Sequence, residues 1–256
     1  LTEAPARCAP GTPCWTSLMV HDLAATRDFY HALFGWDFTP GPREAGSCVR
    51  AVRGGHPVAG IGTLPPERRA PVAWTTYLAS DDADETAEQI RACGGTVAVG
   101  PLDAQEAGRL VIAADPAGGV FGVWQTRSRV GAVRSGALGT PVWHELLTQE
   151  TAAVGKFYAG VFGLGLEVTA ADADRGRLSV GGRPVAGLQG MGSALPRDRG
   201  THWVPFFAVR DADAAARTAV DLGGALIRPP RDGAIGRRAV VADPEGAVFA
   251  VVRTDG

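Results

Sequence analysis

Trp15 to Val20 reads as a short strand, and Asp22 follows it where a helix N-cap belongs. Leu23, Tyr30, Leu33 and Phe34 then fall on one helical stripe, which Gly35 ends. Trp74 to Ala79 predicts another strand. Asp82 predicts a second cap, with Ala83, Ala87 and Ile90 facing inward and Gly94-Gly95 closing the helix. The second half repeats this order. It has a strand at Trp143 to Leu147, a stripe of Val154, Phe157 and Val161, and a strand at Trp203 to Val209. Asp211 then caps a helix with Ala215, Ala219 and Leu222 inward, ended by Gly223-Gly224. Short β-type runs bounded by glycines follow the helices: Ser47–Val52, Val58–Thr63, Leu110–Ala114 and Val120–Gln125. The pattern predicts a strand–helix–strand–strand–strand module, four times over.

The residues repeat as well as the pattern. Asp28-Phe29-Tyr30-His31-Ala32-Leu33-Phe34-Gly35 matches Lys156-Phe157-Tyr158-Ala159-Gly160-Val161-Phe162-Gly163, an offset of 157 − 29 = 128. Pro57-Val58-Ala59-Gly60 matches Pro184-Val185-Ala186-Gly187 at an offset of 127. Asp115-Pro116-Ala117-Gly118-Gly119-Val120-Phe121 matches Asp243-Pro244-Glu245-Gly246-Ala247-Val248-Phe249 at 128. The chain has 256 residues, so a tandem duplication fills it. The join falls in an Arg-, Ser-, Gly- and Ala-rich stretch near 127–140, which suits a linker. The expected domains are therefore 1–130 and 131–256.

Composition narrows the function classes. Hydrophobic residues make up 45% and charged residues 20%, which excludes a disordered chain. With 25 basic against 27 acidic residues there is no electrostatic footprint for nucleic acid. No apolar run approaches the length of a bilayer span, so no membrane partner is expected. Leu1-Thr2-Glu3-Ala4-Pro5 shows no leader pattern. Cys8, Cys14, Cys48 and Cys93 all lie in the first half, which suits reduced thiols in a cytoplasmic protein. Cys8 and Cys14 could form a pair or half a metal site, but no partner Cys-x-x-Cys exists. No Walker-type loop, dinucleotide fingerprint or nucleophile elbow is present. Gly54-Gly55 and Gly181-Gly182 lie between strands and read as hairpin turns.

Leu18-x-Val20-x-Asp22, Phe29-Tyr30, Phe34-Gly35-Trp36 and the turns Asp115-Pro116-x-Gly118 and Asp243-Pro244-Glu245-Gly246 carry a resemblance. Over about residues 12–126 and 140–254 the chain resembles the vicinal oxygen chelate superfamily of glyoxalases, bleomycin-resistance proteins and extradiol dioxygenases. The resemblance implies an α+β class: tandem glyoxalase-like domains, with four βαβββ modules forming two cup-shaped mixed sheets and helices outside. Cys14-Trp15-Thr16-Ser17-Leu18 and Val142-Trp143-His144-Glu145-Leu146 are similar to strand openings in two-domain actinobacterial glyoxalase-like proteins. Some of those accompany aromatic polyketide pathways, including anthracycline ones.

Metal-dependent members of that family place His or carboxylate ligands at fixed strand positions, where the metal acts as a Lewis acid. In this chain the resemblance maps those positions onto Trp15 and Trp143, onto Thr75 and Val204, and onto Gly122 and Ala250. Pro57 to Leu64 has no His or carboxylate, and Pro184 to Leu195 offers only the Gln189 amide. The expectation is no metal and no other cofactor. A shifted register would rescue Glu145 or His202 but not a full ligand set.

Aromatic residues take the vacated places. Trp15, Trp124 and Trp143 share the parity of the lost ligands, as do Tyr77 and Phe206 in their own strands. Trp74 and Trp203 are one residue off and belong under a helix. Flat aromatic walls suit a small, planar, hydrophobic ligand. Gln189 is the polar amide expected beside them. Glu145 shares the inward parity of Trp143, while the adjacent His144 points the other way. In an apolar cup its carboxyl pKa would rise, and it could act as a general base. His202 starts a strand on the parity of Val204 and could reach the same cup. His21, His31 and His56 read as cap, helix and turn residues, and Arg53 and Arg183 as rim charges.

The leading expectation is a metal-free protein that sequesters an aromatic polyketide or anthracycline-like ligand, for resistance or as a biosynthetic accessory. The alternatives are a pathway cyclase, isomerase or hydroxylase-like enzyme using Glu145 and His202 as acid and base, or a cryptic metal-dependent lyase or dioxygenase. A fused pair of halves is compatible with a monomer or a homodimer.

Overall fold

The strand–helix–strand–strand–strand order is present four times. The computed structural model describes residues 8–41, 48–65, 67, 71–104, 107–127, 136–169, 172–191 and 200–254. Leu1 to Pro5, Ser47, Leu195 and most of the expected linker (128–135) lie outside them. The first half runs β1 (Pro13–Val20), α1 (Leu23–Phe34), β2 (Asp37–Pro40), β3 (Cys48–Arg53) and β4 (His56–Thr63). It continues with β5 (Trp74–Ala79), α2 (Ala83–Ala92), β6 (Thr96–Asp103), β7 (Gly108–Ala114) and β8 (Val120–Thr126). The second half runs β9 (Pro141–Thr148), α3 (Thr151–Phe162), β10 (Gly165–Thr169), β11 (Asp172–Val180) and β12 (Arg183–Gly190). It continues with β13 (His202–Ala208), α4 (Ala212–Asp221), β14 (Ala225–Arg231), β15 (Arg237–Ala242) and β16 (Val248–Arg253).

Helix starts follow the expected chemistry with one exception. Asp22 accepts from the Ala25 amide, Asp82 from Asp84 and Glu85, and Asp211 from Asp213 and Ala214. α3 has Glu150 at its cap without a side-chain bond, and Thr148 Oγ1 accepts the Glu150 amide at 3.1 Å instead. Gly35 and Gly163 close α1 and α3 in the left-handed conformation. α4 ends at Asp221, and Leu222, at its C-cap, is 36% exposed rather than inward.

Each half forms one mixed, open, eight-stranded sheet. The orders are β2-β3-β4-β1-β5-β8-β7-β6 and β10-β11-β12-β9-β13-β16-β15-β14. β1 and β4, β5 and β8, β9 and β12, and β13 and β16 pair in parallel. Both Gly-Gly turns have positive φ at each residue, 57° and 81° at Gly54-Gly55 and 54° and 78° at Gly181-Gly182. That is the requirement of a two-residue hairpin. The register shifts beside each turn, between Ala51 and Val52 and between Leu178 and Ser179.

Each sheet draws its strands from one half of the chain, whereas each buried core draws residues from both. One compact unit comprises Leu1–Trp15, Thr75–Ala132 and Trp143–Trp203. The other comprises Thr16–Trp74, Val133–Val142 and Val204–Gly256. Each unit takes modules from both halves. In the first, Phe121, Phe157, Tyr158, Phe162 and Trp203 pack around Leu78, Ile90 and Leu146. In the second, Phe29, Tyr30, Phe34, Trp36, Trp74, Phe207 and Phe249 form the core.

Candidate functional site

Strand parity separates two faces in the first unit. Leu78, Phe121, Leu146, Leu178 and Leu188 are buried in the core with the helices. Residues of opposite parity face away from it. On β5 and β8, Tyr77 and Trp124 are half-buried, with ring centroids 6.5 Å apart and edges crossed at 88°. Tyr77 pairs in register with Gly122, and a Cβ on that glycine would collide with the Tyr77 ring. The neighbouring strands add Leu110 opposite Trp124 and Ile112 opposite Gly122. This face is apolar and partly open, with Val99 and Leu102 exposed on the adjoining β6. Trp15, on β1, is also half-buried.

The matching face of β9 is more polar. Trp143 and Glu145 are half-buried, and both lean over Gly187 of β12. Gln189 lies two residues on, beside Leu147 and opposite Arg175 of β11. His202, at the start of β13, has its Nδ1 2.8 Å from the Gly200 carbonyl. His144 takes the other face as expected. It is buried, and its Nδ1 lies 2.9 Å from Thr76 Oγ1. Burial holds its pKa down at about 3, so the ring is neutral.

Phe206 belongs to the second unit. It is 1% exposed, and the Arg238 guanidinium lies 5.5 Å from its ring centre. Its ring therefore offers no open face. Trp74 and Trp203 are buried under helices, where their indole N–H groups donate to Tyr30 and Tyr158. His31 Nδ1 lies 2.7 Å from the Trp36 carbonyl, and Arg53 donates to the Gly35 carbonyl. All four cysteines are half-buried thiols. Burial pushes the Cys14 thiol well up, and it donates to the Tyr77 carbonyl.

The family-type metal does not fit the donor set. The positions assigned to its ligands hold Trp15, Thr75 and Gly122 in one sheet, and Trp143, Val204 and Ala250 in the other. Val204 and Ala250 are buried and apolar, and Tyr77 fills the space above Gly122. Among the described residues no three His, Cys, Asp or Glu side chains stand close enough to hold an ion. No helix among them is long and apolar enough to cross a membrane.

Residues 13–122 match the glyoxalase/bleomycin resistance protein/dioxygenase superfamily, and residues 143–252 match a glyoxalase-like domain. Similarity to a known protein extends over nearly the whole chain. Anthracycline biosynthesis protein DnrV of Streptomyces peucetius is 38% identical, over 96% of this chain and 94% of its own. The chain belongs to the glyoxalase/bleomycin resistance protein/dioxygenase superfamily. Two further relatives of this family member are each 36% identical. One is the "Putative glyoxylase CFP32" of Mycobacterium tuberculosis, with 95% of each chain covered. The other is anthracycline biosynthesis protein DauV of Streptomyces sp., with 96% of this chain and 94% of its own covered. Among solved structures, the 2,3-dioxygenase LapB from Pseudomonas sp. superposes with a TM-score of 0.67 at 16% identity, covering 98% and 94% of the two chains. The Mn(II)-bound glyoxalase from Novosphingobium aromaticivorans gives 0.64 at 17%, covering 96% and 82%. At such identities these structures share the fold alone.

Proposed function

We propose that this protein binds a planar, hydrophobic aromatic ligand of the polyketide type and sequesters it without metal chemistry. The observation that carries this reading is the half-exposed Tyr77–Trp124 pair on an apolar strand face, set over a glycine where metal-dependent relatives need a ligand. Crossed aromatic edges give a polycyclic ring both a wall and a floor. The names of DnrV and DauV point to anthracycline pathways, which supply ligands of this shape.

Native mass spectrometry with a panel of anthracycline-type compounds tests it. Retention of a panel compound at unchanged mass is expected. Trp124→Ala should weaken binding about 2–10-fold for the stacking it removes, beyond the lost contact area. A protein that retains no planar aromatic at high micromolar concentration overturns the reading.

One observation favours a second reading, an enzyme of the same pathway. Glu145 is a half-buried carboxylate beside the Trp143 indole, which suits proton transfer to or from a bound ring. A panel compound released with altered mass, and its loss in Glu145→Gln with binding retained, would decide for that reading.

A further inference from the structure

Two rows of residues run across β8, β7 and β6 on the face that carries Tyr77 and Trp124. Trp124 stands opposite Leu110, and Leu110 opposite Leu102. Gly122 stands opposite Ile112, and Ile112 opposite Val99. Residues paired across antiparallel strands project from one side. The other side carries Val111 and Ala113 of β7, buried with the helices, and Arg109, which donates to Asp84 of α2. Both rows therefore lie on the face away from the helices, and every residue in them is uncharged. From Trp124 to Leu102 the backbones are two strand spacings apart, about 10 Å. The far end of the rows is open: Val99 is 43% exposed and Leu102 51%.

The duplication repeats the two rows with different residues. In the second sheet Val252 stands opposite Arg238, and Arg238 opposite Arg231. Ala250 stands opposite Val240, and Val240 opposite Arg228. Phe206 pairs with Ala250 as Tyr77 pairs with Gly122. Position for position, valine stands for Trp124, and arginine for each of Leu110, Leu102 and Val99. The surfaces differ accordingly. Phe206 is 1% exposed under the Arg238 guanidinium, and Arg238 itself is 7% exposed. Val252 and Ala250 are fully buried.

We infer that only the first of these duplicated faces takes a ligand, one per chain. Its occupant is an uncharged fused-ring compound long enough to lie from Trp124 across Leu110 to Leu102. This rests on the aromatic-ligand reading above and gives it an extent, a stoichiometry and two specificity-determining residues. Apolar contact is gained along the whole row, because no charged side chain there has to give up water. On the second face the same compound would first have to displace a guanidinium from the Phe206 ring and then cover the arginines beside it.

The test titrates the full chain with a three-ring dihydroxyanthraquinone whose hydroxyls are bonded to its own carbonyls, so that it is uncharged at neutral pH. Native mass spectrometry counts the ligands, and tryptophan fluorescence gives the affinity. One ligand per monomeric chain is expected. Leu110→Arg, which sets the second face's residue in the first, should weaken binding about 10–100-fold, the value of a buried leucine contact. Leu102→Arg should weaken it about 3–10-fold, since that leucine lies at the open edge. Melting curves verify folding, and the exposed Leu102 position keeps the test decisive if Leu110→Arg fails to fold. A second ligand of equal affinity, or a folded variant that binds like the unaltered protein, overturns this inference alone. A dimer that Leu102→Arg splits into monomers would put a second copy of the chain on the face, and overturns it as well. Absence of any binding overturns the aromatic-ligand reading and this inference with it.

Discussion

His144 is 7% exposed on the helix-bearing side of β9, and its Nδ1 lies 2.9 Å from Thr76 Oγ1. Burial penalises the imidazolium, so the folded pKa falls to about 3 from 6.5. The unfolded chain takes up a proton between those values and the folded chain does not. Stability due to this residue is therefore complete above about pH 6.5 and declines toward about pH 3, by at most ~1.4 kcal/mol per pH unit. Asp115 and Asp243 act in the opposite sense, since burial raises both and the fold favours their neutral forms as pH falls. Urea midpoints measured across this range should decline for the unaltered protein, and His144→Leu should flatten the slope. Parallel slopes would assign the acid sensitivity to other groups. Alternation along β9 is enough to set His144 and Glu145 on opposite faces, and the same rule separates Trp74 and Trp203 from Tyr77 and Trp124. Leu102 is beyond that rule. Strict alternation would point it away from the face of Val99, three residues earlier, and only the register shift between them brings both to the side of Trp124. Phe206 has the expected parity, but coverage by Arg238 depends on a strand distant in sequence.

Each Asp-Pro turn ties a helix to the sheet through a buried tyrosine. Tyr158 of α3 donates to Asp115 Oδ2 at 3.1 Å and accepts from Trp203 Nε1 at 3.0 Å. Asp115 Oδ1 in turn holds the amides of Ala117 and Gly119, closing the turn before β8. In the other unit Tyr30, Asp243 and Trp74 repeat the arrangement, with the Glu245 and Ala247 amides on Asp243. A buried carboxyl, phenol and indole satisfy one another, so none is left with an unmet hydrogen bond. Tyr158→Phe keeps the ring and removes the hydroxyl, leaving the Trp203 N–H without an acceptor. The expected cost is about 1–3 kcal/mol in urea unfolding. Tyr30→Phe should cost a similar amount, because the partners are the same. A loss below about 0.5 kcal/mol in both would mean that water replaces the hydroxyl. The Asp-Pro-x-Gly motif was visible in the sequence as a turn. Its role as an anchor was not, because the tyrosine that reaches it lies in the other half of the chain.

Duplication made the four modules, their helix caps and the Gly-Gly hairpins readable from residues alone. It also concealed which module packs against which. Phe29-Tyr30 and Phe157-Tyr158 present the same apolar surface at the same helical phase, so periodicity cannot choose their partners. The structure does choose. Phe157, Tyr158 and Phe162 of the second half pack with Phe121 and Ile90 of the first, while Phe29, Tyr30 and Phe34 pack with Phe207 and Phe249. Each half taken by itself therefore lacks partners for both of its helices. Residues 1–130 alone would expose the buried sides of Tyr30, Phe34, Ile90 and Phe121, an apolar area too large to leave in water. That chain is expected to bind a hydrophobic dye and to aggregate or self-associate, as is 131–256. Produced together, the two halves should form a one-to-one complex with the near-ultraviolet dichroism of the intact protein, since every core contact is then available without the covalent join. Size-exclusion chromatography coupled to light scattering would measure this directly. A monomeric, dye-silent 1–130 chain with a cooperative melt would instead show that each sheet supports its own helices, and that the cross-half cores add to a fold already formed.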